Sequence, residues 1–156
     1  MSDITAVKVY HLEDMVIGIM FSNGEFKKYD LKPLCKKWPV FNNLKDTELF
    51  RKAKVDVGGY GIVWNDDIDL AMEEVYANGV AWENAPADDY AIFLIVGHLR
   101  DLRREQGITQ YELAAKTGIK QSNIARMENG GRLPNITTLI KLGRALGYNL
   151  YWGKKA

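Results

Sequence analysis

Residues 107–130 read GITQYELAAKTGIKQSNIARMENG, and this stretch decides the architecture of the C-terminal part of the chain. Thr109 to Glu112 spell the T-x-x-E capping box that opens a helix. Ile108 before the cap and Leu113 four residues into the helix are placed to form a hydrophobic staple. Gly107 and Gly118 each stand where a preceding helix must stop with positive φ. Only Ile119 and Lys120 separate Gly118 from Gln121, so the next helix must leave at a sharp angle. A tight αα-corner is the expectation.

The two helices of that corner sort by face. Leu113, Ala114 and Thr117 share one side of the first helix. Ile124 and Met127 point inward from the second at i, i+3, with Ile119 beside them. Gln121, Ser122, Asn123, Ala125 and Arg126 are left on the outer and N-terminal surface. Gln, Asn and Arg carry the paired donors and acceptors that recognise adenine and guanine edges in a major groove. A solvated polar face would look alike in isolation; corner geometry and charge favour the groove-reading alternative.

From Leu99 to Leu146 the chain resembles the Cro/phage-repressor (Cro/C1, XRE) type of helix-turn-helix domain. The residues that carry the resemblance are Leu102-Arg103, Gly107-Ile108-Thr109-Gln110, Glu112-Leu113-Ala114, Gly118, Ile124, Glu128-Asn129-Gly130, Pro134, Leu139 and Ala145-Leu146-Gly147. The resemblance implies that Gln110 bonds a phosphate and braces the recognition helix. It implies that Gln121, Ser122 and Arg126 face base edges, with Lys120 and Asn123 beside them, and that Asn129 and Arg132 touch the DNA backbone. It further implies that Arg103 and Glu128 form a partly buried ion pair between helices, structural rather than DNA-contacting. Such pairs specify helix orientation more than they add stability.

The net charge of +1 hides an asymmetry. Residues 1–97 hold 10 Lys/Arg against 16 Asp/Glu, and residues 98–156 hold 11 against 4. The basic C-terminal part is the electrostatic footprint of a phosphate-binding surface. The acidic first part is expected to repel DNA and face elsewhere. One cysteine, Cys35, excludes an intrachain disulfide, and reads as a small core residue. The opening MSDITAVKVY lacks the pattern of a signal peptide, and Ala91–Gly97, the longest apolar run, is short for a membrane span. A reducing cytoplasm is the expected setting.

The first part of the chain reads as a separate α+β domain. Strands are expected from Ala6 to His11, from Met15 to Phe21 and from Glu25 to Leu31, the last two joined by a type I′ turn at Asn23-Gly24. Short helices are expected at Lys32–Trp38 and Asp46–Lys52. A second hairpin should join Val55–Val57 to Gly61–Trp64, and Asp69–Tyr76 reads as the start of another helix. This part resembles the bacterial domain-of-unknown-function family 2442, through Phe21-Ser22-Asn23-Gly24-Glu25, Tyr29-Asp30-Leu31, Leu49-Phe50 and Trp64-Asn65-Asp66 with Ile68-Asp69-Leu70. That family implies a fold and no activity. The expected division is therefore a small antiparallel α+β domain at 1–80, a linker at 81–89, and an all-α helix-turn-helix domain at 90–156. Asp88 or Asp89 should cap a long helix from near Tyr90, whose Ile92, Ile95, Leu99 and Leu102 pack on the motif. Phe93 and Val96, at its exposed start, are placed to touch the first domain. Tyr148 to Trp152 are strand formers. They either pair with the first sheet or a symmetry mate, or cover the domain's own core.

Enzymatic and metal chemistry find no constellation. His11 and His98 lie in different domains with no further ligands nearby. Asn65, Asp67 and Asp69 copy the opening of a calcium loop, but Leu70 and Tyr76 replace its glycine and closing glutamate; a solvated turn with a helix cap is expected. Gly58-Gly59-Tyr60-Gly61 lacks the lysine and hydroxyl of a phosphate loop and reads as a turn. No enzyme, metal or cofactor is expected. The functional expectation is a DNA-binding transcriptional regulator, a repressor, working as a homodimer on a palindromic operator, with a first domain that senses or binds a partner. The alternatives are an antitoxin that neutralises a toxin and autoregulates its operon, and an interaction adaptor that does not bind DNA.

Overall fold

The computed structural model describes residues 4–151 and 153–154. It divides the chain into two compact units, Met1–Ala85 and Pro86–Ala156. The first is α+β and the second all-α.

In the first unit, strands β1 (Ala6–His11), β2 (Val16–Phe21) and β3 (Phe26–Asp30) form an antiparallel meander. A layer of short elements follows: α1 (Leu34–Lys37), a 3-10 helix (Pro39–Lys45) and α2 (Thr47–Phe50). A second antiparallel sheet then forms from β4 (Lys54–Val55), β5 (Gly61–Asn65) and β6 (Ile68–Ala71). Helix α3 (Met72–Asn78) leads to β7 (Val80–Ala81), which closes the first sheet in the order β1-β2-β3-β7. Alternate residues of β2 explain the core. Ile17, Ile19 and Phe21 are fully buried with Leu34, Phe41, Phe50, Ile62 and Trp64.

Two sequence expectations change here. The hairpin at Ser22-Asn23-Gly24 is not type I′, because only Gly24 has positive φ (90°); the Gly24 N–H bonds to the Phe21 carbonyl at 3.0 Å. This is the pattern of a turn followed by a left-handed glycine. The I′ conformation is found instead at Asp14 and Met15, with φ of 57° and 58°, two residues that adopt it without being glycine. The Val16 N–H closes that turn on the Glu13 carbonyl, and Lys32 Nζ holds Asp14 from outside. Asp69 to Ala71, expected to open a helix, belong to β6. Ile68 and Leu70 face inward there while Asp69 and Ala71 face out, a period of two. Asn65 Oδ1 accepts the Asp67 and Ile68 N–H groups, so the calcium-like run is a hairpin turn.

The stretch expected as a linker begins as structure. Val80 and Ala81 pair with Lys28 and Lys27, and the Trp82 N–H bonds the Phe26 carbonyl at 3.0 Å. The Trp82 ring lies on Gly18 so closely that a Cβ there would sit 2.3 Å from its Cζ3. Tyr10 and Phe26 close around it edge-on. Only a glycine leaves room for that ring, which covers the face of β2 away from the main core.

The second unit holds α4 (Asp88–Glu105), α5 (Gln110–Thr117), α6 (Gln121–Glu128) and α7 (Ile136–Ala145). Helix α4 starts at Asp88 with Ala87 as N-cap and no capping side chain; Asp88 and Asp89 lie in its first turn, where carboxylates meet the positive helix end. Ile92, Ile95, Leu99 and Leu102 pack half-buried against the unit's core. Val96, expected on an outer face, is buried in that core with Leu113, Ile124, Met127, Leu139 and Leu142. The C-terminal strand is not found: Tyr148 to Tyr151 carry no strand, and Trp152 lies outside the described residues. The reason is local. Gly147, at φ 86°, stops α7, and the Tyr148 N–H is used on the Gly143 carbonyl.

Candidate nucleic-acid interface

The corner between α5 and α6 is built from local bonds. Thr109 Oγ1 accepts the Glu112 N–H at 3.1 Å while Glu112 Oε2 accepts the Thr109 N–H at 2.7 Å, a complete capping box. Those bonds from Thr109 hold the exposed Glu112 carboxyl below its ordinary pKa. Gly118 takes φ 73° and its N–H returns to the Ala114 carbonyl. The buried Thr117 hydroxyl donates to the Leu113 carbonyl and accepts from the Ile119 N–H, leaving no polar side chain of the corner buried and unsatisfied.

A chain of polar contacts then fixes how the helices cross. Arg103 on α4 grips Glu128 on α6 with two bonds, Nε to Oε1 at 2.7 Å and Nη2 to Oε2 at 2.8 Å. Its Nη1 donates to the Ile108 carbonyl. Gln110 Nε2 donates to Glu128 Oε2 at 2.7 Å, and Gln121 Nε2 donates to Gln110 Oε1 at 2.9 Å. Arg103 and Glu128 are both buried. Burial works to raise the Glu128 pKa, but the bonds from Arg103 and Gln110 and the charges of Arg103 and Arg104 outweigh it and hold it below the ordinary carboxylate range. The bond to Glu128 raises the Arg103 pKa against burial.

The candidate contact residues separate into two sets. Gln110 and Gln121 are half-buried and engaged in the chain just described. Lys120, Ser122 and Arg126 are exposed on or just before α6 and make no side-chain bond with another described residue. Asn123 Oδ1 accepts from Arg132 Nη1 at 3.3 Å, and the Arg132 N–H bonds the Arg126 carbonyl at 3.2 Å, so the loop after α6 is tied back to it. Asn129 is the exposed C-cap of α6. The resulting surface offers an ammonium, a hydroxyl, a guanidinium and amides whose inner members are already oriented. That is the donor-rich set suited to phosphates and base edges.

Two further ties escaped sequence reading. Gln106 Nε2 donates to the Leu146 carbonyl at 2.8 Å, joining the ends of α4 and α7, and Arg100 Nη1 reaches the Glu128 carbonyl. Their partners lie 40 and 28 residues away, and no local pattern marks them. Between α4, α7 and the segment after Gly147 runs an apolar groove of about 350 Å³, with Leu94, His98, Leu102, Leu139, Tyr148 and Leu150 on its walls.

Residues 99–153 match the family described as "Helix-turn-helix". A Sinorhizobium fredii protein described as an uncharacterized HTH-type transcriptional regulator, y4dJ, is 41% identical over 54 residues, covering 35% of this chain and 70% of that protein. This chain belongs to the helix-turn-helix family. A Haemophilus influenzae protein of the same description is 39% identical over 56 residues, 36% of this chain and 57% of its own. Residues 6–81 match the family described as "Protein of unknown function (DUF2442)". The Nitrosomonas europaea protein NE0471, a solved structure, is a distant likeness at a TM-score of 0.42 and 18% identity, over 89% of this chain and 84% of its own. Among the described residues no group of three or more His, Cys, Asp or Glu stands close enough to hold a metal, and no helix is long and apolar enough to cross a membrane.

Proposed function

We propose that the protein is a sequence-specific DNA-binding regulator of transcription, acting as a repressor by occupying its operator, with a first unit that senses a signal or binds a partner. The observation that carries this reading is the split on α6: Ser122 and Arg126 stand exposed and unengaged, while Gln121 is held by Gln110 and through it by Glu128. A solvated helix face has no need of a buried carboxylate orienting its amides; a reading surface does, because preorganised donors lose less freedom on binding. The similarity of the α4–α7 region to proteins described as transcriptional regulators supports the same conclusion.

In this reading Ser122, Arg126 and Gln121 face base edges, Lys120 and Asn123 flank them, and Gln110, Asn129 and Arg132 contact the phosphate backbone. Arg126→Ala should weaken operator binding by roughly 1–3 kcal/mol and relax preference at one base pair. Gel shifts on operator and scrambled duplexes, with the operator taken from genome-wide footprinting, make the test. Equal losses on both duplexes would assign Arg126 to the backbone instead of a base.

One such motif reads only a few base pairs, so the reading includes a homodimer with recognition helices about 34 Å apart, one turn of DNA. Sedimentation of the full chain and of a form ending at Gly147, which removes Tyr148 and Leu150 from the groove wall, checks it. A full-length monomer that still protects a palindromic operator would refute the dimer.

A further inference from the structure

The charge of the first unit is divided along the chain. Residues 27–54 carry nine Lys/Arg and three Asp/Glu, whereas residues 55–85 carry seven Asp/Glu and no Lys or Arg. The middle of the basic run forms one structural layer, α1, the 3-10 helix and α2, which pack in series. The inward residues of that layer, Leu34, Phe41, Leu44, Phe50 and Ala53, all belong to the same core. Its exposed residues therefore lie on its outer side. Five cations stand there or at its end, Lys36, Lys37, Lys45, Arg51 and Lys52, and a sixth, Lys54, follows exposed on β4. None forms an ion pair with another described residue. The acidic groups beside them are few, and Asp46 is occupied in capping α2 through the Glu48 N–H.

We infer that this layer is a second phosphate-binding surface, one that takes the backbone of duplex DNA. Six unneutralised cations over so short a run repel one another, and a polyanion relieves that repulsion while releasing its own counterions. Trp38, 41% exposed in their midst, decides between polyanions. Lys37 Nζ lies 4.2 Å from its ring centroid and Phe41 tilts against it at 6.2 Å, so the ring braces a lysine and offers no open platform for an unpaired base. That disfavours single strands, which bind by stacking. Trp38 and Val40 are the layer's only large exposed apolar side chains, too few to enter a lipid surface. The choice of duplex rests on the DNA-binding reading of the second unit; the surface itself does not. It also revises the expectation that the acidic first part of the chain turns away from DNA, since residues 27–54 within it are net basic.

The test compares the full chain with a variant carrying Lys36→Gln, Lys37→Gln, Arg51→Gln and Lys52→Gln, on a scrambled 40-base-pair duplex across a salt series. A second variant with the three lysines as arginine keeps the charge and controls for folding. The glutamine variant should lower the slope of log affinity against log salt by about 2 to 4, near 0.9 for each phosphate left unneutralised, and reduce affinity about tenfold or more at low salt. The arginine variant should match the parent. The ratio of operator to scrambled affinity should be unchanged by either. An unchanged slope in the glutamine variant overturns the inference, as does unchanged duplex binding with lost binding to vesicles of anionic lipid. The two readings fail separately. A chain without sequence preference whose salt slope still drops with the glutamines loses the operator reading and keeps this one; a chain with preference and an unaltered slope does the opposite. A parent that binds no duplex refutes both.

Discussion

The two units solve the same problem, fixing how elements sit on one another, by different means. In the first, orientation is set by backbone bonds between strands: Ile19 of β2 pairs with Val9 on one side and Lys27 on the other, and a one-residue slip would turn Ile17, Ile19 and Phe21 out of the core. In the second, each helix satisfies its own backbone; the short turn at Gly118 sets the α5–α6 corner, and no ladder of backbone bonds fixes how α4 lies on that pair. Side chains do that work, through the buried Arg103–Glu128 pair and the half-buried Gln110 and Gln121 bonded to it in series. The lesson is that a helical unit bears the desolvation of a buried ion pair for a geometric result that a sheet obtains from its ladder.

The sharpest way to break the comparison is Glu128→Ala. It leaves the Arg103 guanidinium buried without its partner and should destabilise by about 3–5 kcal/mol in urea unfolding. The double change Arg103→Met with Glu128→Leu should restore most of that stability while still losing operator affinity, because Gln110 and Gln121 lose their anchor. Recovery of full affinity in the double variant would show that hydrophobic packing alone sets the crossing.

In the sheet unit the counterpart is Gly18→Val. Its side chain would displace the Trp82 ring, at a cost of about 1–3 kcal/mol by the scale of overpacking. Trp82 fluorescence should shift toward that of a solvated indole; an unmoved spectrum would mean the ring is not seated by Gly18.

A gentler probe is pH. The Glu128 carboxyl titrates below its ordinary 4.5, so its contribution to stability is fully present above that value and is lost as pH falls through the lowered one. Unfolding midpoints of the parent should drop over that acidic window more than those of Glu128→Gln, in which the carboxyl is absent.

Smallest of all should be Asp14→Gly. Relief of the left-handed backbone at φ 57° is offset by loss of the exposed contact with Lys32, for a net change under about 1 kcal/mol. Asp14→Val, β-branched at the same φ, should cost more than that; equal stability of the two would remove the turn from the account.

Legibility followed sequence distance. The capping box at Thr109, the left-handed Gly107 and Gly118 and the inward Leu113, Ile124 and Met127 were readable because each rests on contacts within a few residues. The tie from Arg103 to Glu128 spans 25 positions and came through family resemblance, not through spacing. At Asp69 a four-residue strand was read as helix because the run Glu73 to Tyr76 behind it dominates the local pattern. The turn at Asp14-Met15 left no glycine to mark it.

The sequence by itself determined the two-part organisation, the corner of the helix-turn-helix and the residue types on its outer face, since caps, left-handed glycines and helical periodicity are local properties of a chain. Only the tertiary structure decided that Trp82 closes the first sheet over Gly18, that Val96 enters the second core, that Tyr148 spends its N–H on a helix end instead of a strand, and that six cations of 36–54 stand exposed without an ion-pair partner among the described residues. Each of those depends on which distant partner satisfies a ring, a methyl, an amide or a charge. That choice is made by packing and desolvation over the whole fold, which no short window of residues contains.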